Sequence, residues 1–329
     1  MAAPRPIRMT FRQADSGGGV LDRPKVCPGK ALTGQRYLVL LIHGFNNSKS
    51  QAQDAYEGFK SLQRKLGNLD SDQAITHGTL VEFYWPGDVG WISSMNYEDS
   101  LQRAIAIARR LPEALRRAVG HDDPLHIDVV AHSMGCRLVL EMIRHIPPSV
   151  NMVLRRTAFM AAAVPTFLLE PAERLRSGLD RSTVEKVLSL FSPDDWVLDN
   201  AFSIGQWDAQ GERWTEGDEY RRGSTIALGH ECWISSHPSS ILSQDMQTHI
   251  NQAGHSDYWG WKKDTRETQG LRANTLVKDF LGFSAAGARE IVHRERGDRE
   301  SLAARLSEPD RKPPSRTADG SEGDQCIEV

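Results

Sequence analysis

The stretch "HIDVVAHSMGCRLVLEMI", residues 126–143, sets Ser133 between an apolar run of strand type and an apolar run of helix type. A serine in that place has two readings. It can be a helix N-cap, where Ser is among the favoured residues. It can also be a nucleophile held on a sharp strand-to-helix turn, which exposes its hydroxyl at the end of a sheet. The second reading needs small residues two before and two after the serine, so that strand and helix can approach. Ala131 and Gly135 occupy those positions, with Ala in place of the first Gly of a G-x-S-x-G frame.

Working outward, "YLVLLIHG" (37–44) has the unbroken apolar run of a strand buried on both faces of a parallel sheet. "IRMTFR" reads as an earlier extended run, with loops expected from Ser16 to Gly34. "SQAQDAYEGFKSLQRKLG" reads as a helix and "TLVEFYW" as a strand that stops at Pro86 and Gly87. "EDSLQRAIAIARRLPEAL" brings Leu101, Ile105, Ala108 and Leu115 to one helix face, with a bend expected at Pro112. "RLVLEMIRHI" is a helix ended by Pro147 and Pro148, "TAFMAAAV" and "KVLSLFS" are further strands, and "RANTLVKDFLGF" is a closing helix. Alternation of this kind implies an α/β chain: a doubly wound, mostly parallel sheet with helices on both faces.

Three segments follow. Residues 1–36 form an N-terminal extension with an edge strand, and residues 37–283 form the main domain. Within that domain residues 200–240, which carry Trp207, Trp214 and Trp233, read as an excursion or lid over one end of the sheet. Residues 284–329 are charged and Pro/Ser-rich, and such a composition does not offset its own ordering entropy, so a disordered tail is expected. What protein that tail meets cannot be read from it. The terminal "CIEV" fits a prenylation signal poorly because of its acidic third position.

Composition excludes several classes. Hydrophobic residues make up 39% and charged residues 25%, with a net charge of -3, so no basic groove for nucleic acid is expected. The N-terminus lacks a signal-peptide core and no run is long enough to span a bilayer, which reads as cytoplasmic. The four cysteines Cys27, Cys136, Cys232 and Cys326 are scattered without C-x-x-C spacing, so reduced thiols are expected, and no metal or cofactor. Cys136 reads as a packing residue.

A serine hydroxyl needs a base within hydrogen-bond reach and a third group to orient that base. In a doubly wound sheet these lie on later strand-end loops. "FSPDDWVL" offers Asp194 and Asp195, either of which could orient a histidine. "GHSDYW" offers His255, ahead of His249 in a helix-like segment and of the competitor His230 in "LGHECW". "LLIHGFNN" ends a strand at His43-Gly44, so the N–H of Phe45, with that of Met134 after the serine, could form an oxyanion hole. His43, Gly44, Trp85 and Trp196 are further candidates for a substrate pocket, and Trp91 beside "PGDVG" is another aromatic near it.

The ordered set "LLIHGFNN", "VEFYWPGD", "HIDVVAHSMG", "FSPDDWVL" and "GHSDYW", over residues 37–260, resembles an alpha/beta-hydrolase family of unknown function, similar to esterases and lipases. The resemblance implies the alpha/beta-hydrolase fold, a Ser133, Asp195, His255 triad in that chain order, and an oxyanion donor at Phe45. It favours Asp195 over Asp194, because Ser192, Asp195 and Leu198 match the family's Ser-x-x-Asp-x-x-Leu. The implied activity is cleavage of a small acyl ester through an acyl-enzyme. Acyl transfer by the same route, and a non-catalytic binding module on this fold, are the alternatives.

Overall fold

The structure is a computed structural model, and it describes residues 5–71, 74–75, 78–88, 97–170, 173–181, 184–202, 205, 226–232, 247–260, 267–282 and 325–329. Strands β1 (Ile7–Arg12), β2 (Val20–Cys27), β3 (Tyr37–Ile42), β4 (Leu69–Ser71), β5 (Ala74–Ile75), β6 (Gly78–Tyr84), β7 (Leu125–His132), β8 (Met152–Met160), β9 (Lys186–Phe191), β10 (Gln247–His249) and β11 (Ile327–Glu328) form one sheet. Its main path runs β10-β9-β8-β7-β3-β6-β1-β2-β11. From β10 to β1 every neighbour pair is parallel, and β2 and β11 add antiparallel. All six residues of β3 are buried, as a central parallel strand requires.

Helices α1 (Lys49–Lys65), α2 (Tyr97–Val119), α3 (Met134–Arg144), α4 (Arg174–Arg181) and α5 (Glu267–Leu281) form two layers. The α2, α3 and α4 helices pack together, and α1 packs with α5. The start of α1 is specified by a reciprocal capping box, Ser48 accepting from Gln51 N and Gln51 accepting from Ser48 N. Ala52, Ala55, Tyr56, Phe59 and Leu62 then recur at helical spacing on its buried face. Helix α2 runs through Pro112 as one element. Every residue of α3 from Met134 to Ile143 is buried.

Several sequence expectations are corrected. The loops expected from Ser16 to Gly34 contain β2, whose register with β1 pairs Met9 with Val26. Strand β1 is not at the edge, because β2 and β11 lie beyond it. The end of the supposed disordered tail is ordered: Ile327 pairs with Val26 and Glu328 with Lys25, and this antiparallel register sets Cys326 opposite Cys27. These two cysteines form a disulfide, so they are not reduced thiols and Cys326 offers no free sulfur for a prenyl group. His249 lies in β10 rather than in a helix, its ring stacked on Phe191. Residues 283–324, most of the 200–240 excursion with Trp207, Trp214 and Trp233, and Trp91 lie outside the described residues. Among the described residues no helix is long and apolar enough to cross a membrane.

Candidate active site

Parallel strands all end on the same side, and five adjacent strands here bring their C-terminal loops together. His43 follows β3, Ser133 follows β7, Asp195 follows β9, and His255 follows β10. Ser133 carries φ 55 and ψ -127, a left-handed backbone that an L-residue other than Gly rarely adopts. Its side chain makes no capping hydrogen bond to α3, so the N-cap reading does not describe it. The turn is tight enough that a Cβ on Gly135 would lie 2.5 Å from the His43 carbonyl oxygen, so Gly is required there. Ala131 needs no such freedom: it is a buried strand residue between Ile42 and Phe159, and its methyl fits.

The Ser133 hydroxyl and His255 Nε2 are 2.9 Å apart, and His255 Nδ1 is 2.8 Å from Asp195 Oδ2. A carboxylate oxygen accepts, so Nδ1–H donates to Asp195 and Nε2 is left to accept from Ser133. Asp195 is fully buried, and its other oxygen accepts from Val197 N and Leu198 N, both at 3.1 Å. Asp194 is engaged elsewhere: its Oδ2 accepts from Gln252 N at 2.9 Å, which ties down the loop before His255. His230 sits 4.0 Å from Asp199 and 3.7 Å from Glu231, away from this chain of bonds.

The turn after β3 is held from beneath. Trp85 N–H donates to His43 Nε2 at 3.3 Å, and His43 Nδ1 lies 2.9 Å from the Gly44 carbonyl, which can only accept. His43 is therefore the Nδ1–H tautomer, and burial pushes its pKa down to about 3. Asn47 Nδ2 donates to the same Gly44 oxygen at 3.2 Å and to the Phe45 oxygen at 3.0 Å. In a planar trans peptide the C=O and N–H point in opposite directions. Two donors on the Gly44 carbonyl thus fix the direction of the Phe45 N–H. Neither this N–H nor that of Met134, the first residue of α3, bonds to another described residue.

Among the described residues a cavity of about 430 Å³ opens over Ser133 and His255. Its walls are largely apolar, with Phe45, Tyr97, Met134, Leu198, Phe202 and Trp259 among them. Phe45 meets Tyr97 edge-on at 5.7 Å, and Tyr97 meets Phe202 at 6.3 Å. Three pocket candidates are displaced from that wall. His43 and Trp85 are fully buried and stacked on one another at 5.6 Å, holding the turn instead, and Trp196 is 68% exposed to solvent. Gly44 passes beneath the site, where a Cβ would lie 2.7 Å from Ser133 Cβ. Cys136 is buried beside Met160 and its thiol pKa is raised by burial, which suits a packing residue. Sequence reasoning did not single out Asn47, His132, Tyr97 or Phe202. Asn47 lies in a quoted motif, but its contacts are to backbone oxygens and leave no pattern.

Residues 30–195 match the family described as "Alpha/beta hydrolase of unknown function (DUF900)". The chain belongs to that family. This alpha/beta hydrolase is also similar to solved structures of an esterase/lipase from an uncultured bacterium (9% identity, TM-score 0.37, covering 86% of this chain and 87% of that one). Others are an esterase of Pyrococcus furiosus (11%, TM-score 0.36, 79% and 84%) and a protein of Thermus thermophilus (12%, TM-score 0.38, 84% and 98%). At such identity and overlap they say nothing of what this hydrolase acts on. No curated protein matches the chain.

Proposed function

We propose that this alpha/beta hydrolase is a serine hydrolase that cleaves carboxylic esters through an acyl-enzyme. The observation that carries the reading is the unbroken hydrogen-bonded chain from Ser133 through His255 to Asp195, with the serine on a strained turn. Ser133 Oγ attacks the acyl carbonyl while His255 Nε2 takes its proton, and Asp195 stabilises the imidazolium that forms. The negative oxygen of the tetrahedral intermediate accepts from Phe45 N–H and Met134 N–H, the first oriented through the Gly44 carbonyl and the second at the positive end of α3. His255 returns the proton to the leaving alcohol. Water, activated by the same histidine, then releases the acid.

The apolar walls favour an ester with an uncharged acyl group, of a size suited to a cavity of about 430 Å³. A binding module would have no use for strain at Ser133, which costs of order 1–3 kcal/mol. The Cys27–Cys326 disulfide weighs toward an oxidising compartment and against the cytoplasm expected from the sequence.

The test is intact-protein mass after treatment with a fluorophosphonate, on wild type and on Ser133→Ala. One adduct on the wild type alone is the expected result. No adduct on folded wild type, or an adduct that survives in Ser133→Ala, refutes the proposal.

A further inference from the structure

His255 stands on a loop between β10 and α5, and its side chain is useful only if that loop is stationary. The loop has anchors on either side of the histidine: Ile250 N donates to Phe191 O, Gln252 N to Asp194, and Gly254 N to Asp257. The backbone of His255 itself makes one hydrogen bond with the described residues. Its carbonyl lies 2.6 Å from His132 Nε2, and a carbonyl can only accept, so His132 carries its proton on Nε2.

His132 is the last residue of β7, paired with Met160 in β8, and its ring packs against that of His255 at 4.8 Å. Being next in sequence to Ser133, it shares the serine's rigid support. Two consecutive residues therefore grip the two ends of His255, Ser133 at the imidazole and His132 at the carbonyl.

We propose that His132 is a positioning residue, whose Nε2–H holds the His255 backbone so that the imidazole meets Ser133. The inference rests on the reading of Ser133 and His255 as nucleophile and base. It also explains why the side chain is a neutral histidine. His132 is buried and its Nδ1 has no hydrogen-bond partner among the described residues, so a second ring proton would find no acceptor. A charged His132 would also repel the imidazolium that His255 becomes. Burial first, and His255 second, hold its pKa well below the usual histidine value, with His43 and the ring of Tyr258 as the other titratable neighbours.

The experiment contrasts two neutral amides on the full chain. In His132→Gln the amide nitrogen occupies the Nε2 position and can still donate to the His255 carbonyl. In His132→Asn it occupies the Nδ1 position and cannot reach. With p-nitrophenyl butyrate as substrate, the Asn variant loses roughly 10- to 100-fold in kcat with KM little changed, and Gln recovers most of that loss. Fluorophosphonate labelling of Ser133 slows in parallel. Wild-type kcat in the Asn variant, or equal losses in Asn and Gln, overturns the positioning role.

A measurement that needs no variant accompanies it: in ¹⁵N-histidine-labelled protein at neutral pH, His132 is expected as the Nε2–H tautomer with a bare Nδ1. The opposite tautomer, or a charged ring, also overturns the role. If wild type neither turns over the ester nor takes the fluorophosphonate, the hydrolase reading itself fails, and that outcome is distinct from an active wild type with an indifferent His132.

Discussion

Replacing His43 by Gln and comparing both proteins at about pH 7 and about pH 5 isolates what one buried imidazole does to stability. In the unfolded chain His43 takes up a proton as the pH falls through 6.5, whereas in the folded protein it does so only near 3. Between those values the unfolded state holds one more proton than the folded state, so stability falls as the pH falls. The slope is about 1.4 kcal/mol per pH unit once the unfolded histidine is fully titrated, and from about pH 7 to about pH 5 the loss comes to about 2 kcal/mol. Because pH 5 lies well above the folded value, this figure depends on the unfolded histidine alone. The structural cause is specific. Nε2 is occupied by Trp85 N–H, so a proton arriving there would have to expel a backbone donor inside a fully buried site.

The readout is a double difference in unfolding free energy from urea titrations followed by tryptophan fluorescence. His43→Gln will be less stable than wild type at both pH values, since it loses the bond to Gly44 and the stacking on Trp85. That offset cancels between the two pH values, as do the carboxylates and His132, which titrate in both proteins. Wild type should lose about 2 kcal/mol more than the variant on acidification. Parallel losses would mean that His43 takes up its proton at the same pH in the folded protein as in the unfolded chain, as a solvated ring would, and the account of how the Gly44–Phe45 peptide is aimed would fall with it.

Four other outcomes follow from the structure. Asp195→Asn should lower ester kcat by about 10⁴-fold, because an amide opposite Nδ1 no longer fixes the tautomer of His255. Asp194→Asn keeps an oxygen for Gln252 N–H and should stay within about tenfold of wild type, so equal losses from the two variants would refute the assignment of the acid. Gly44→Ala forces a methyl to within 3.2 Å of Ser133 Oγ and should cut kcat by roughly 10²-fold with circular dichroism unchanged. Protein denatured without reductant should present two thiols, Cys136 and Cys232, and four after reduction, whereas four at the outset would exclude the disulfide.

How much of this could be read from the chain depends on how local the cause is. Strands β3, β7 and β9 were legible because a parallel strand covered on both faces is apolar along most of its length, as YLVLLI in β3, DVVA within β7 and VLSLF within β9 show. Strand β2 was not, since "VLDRPKVC" near the sheet edge has polar exposed positions and a proline, which together resemble a loop. The two-residue β11 carries no pattern at all, and the Cys27–Cys326 pairing follows from its register, information that exists only after the sheet has formed.

The same division runs through the site. Ser133 is marked by its immediate neighbours, because the turn that strains it is built from residues two places away. The choice between Asp194 and Asp195 turns on a rotation of one residue at a strand end, and both acids prove to serve the His255 loop: Asp195 holds the ring and Asp194 the backbone of Gln252. His132, Asn47 and His43 act through backbone oxygens, which every residue possesses, so nothing in the partner's identity announces the contact. A candidate nucleophile can be recognised by what surrounds it in sequence. The groups that would keep its partners in place have to be found in the fold, and the contrast between Gln and Asn at His132 tests one of them on the length of a single side chain.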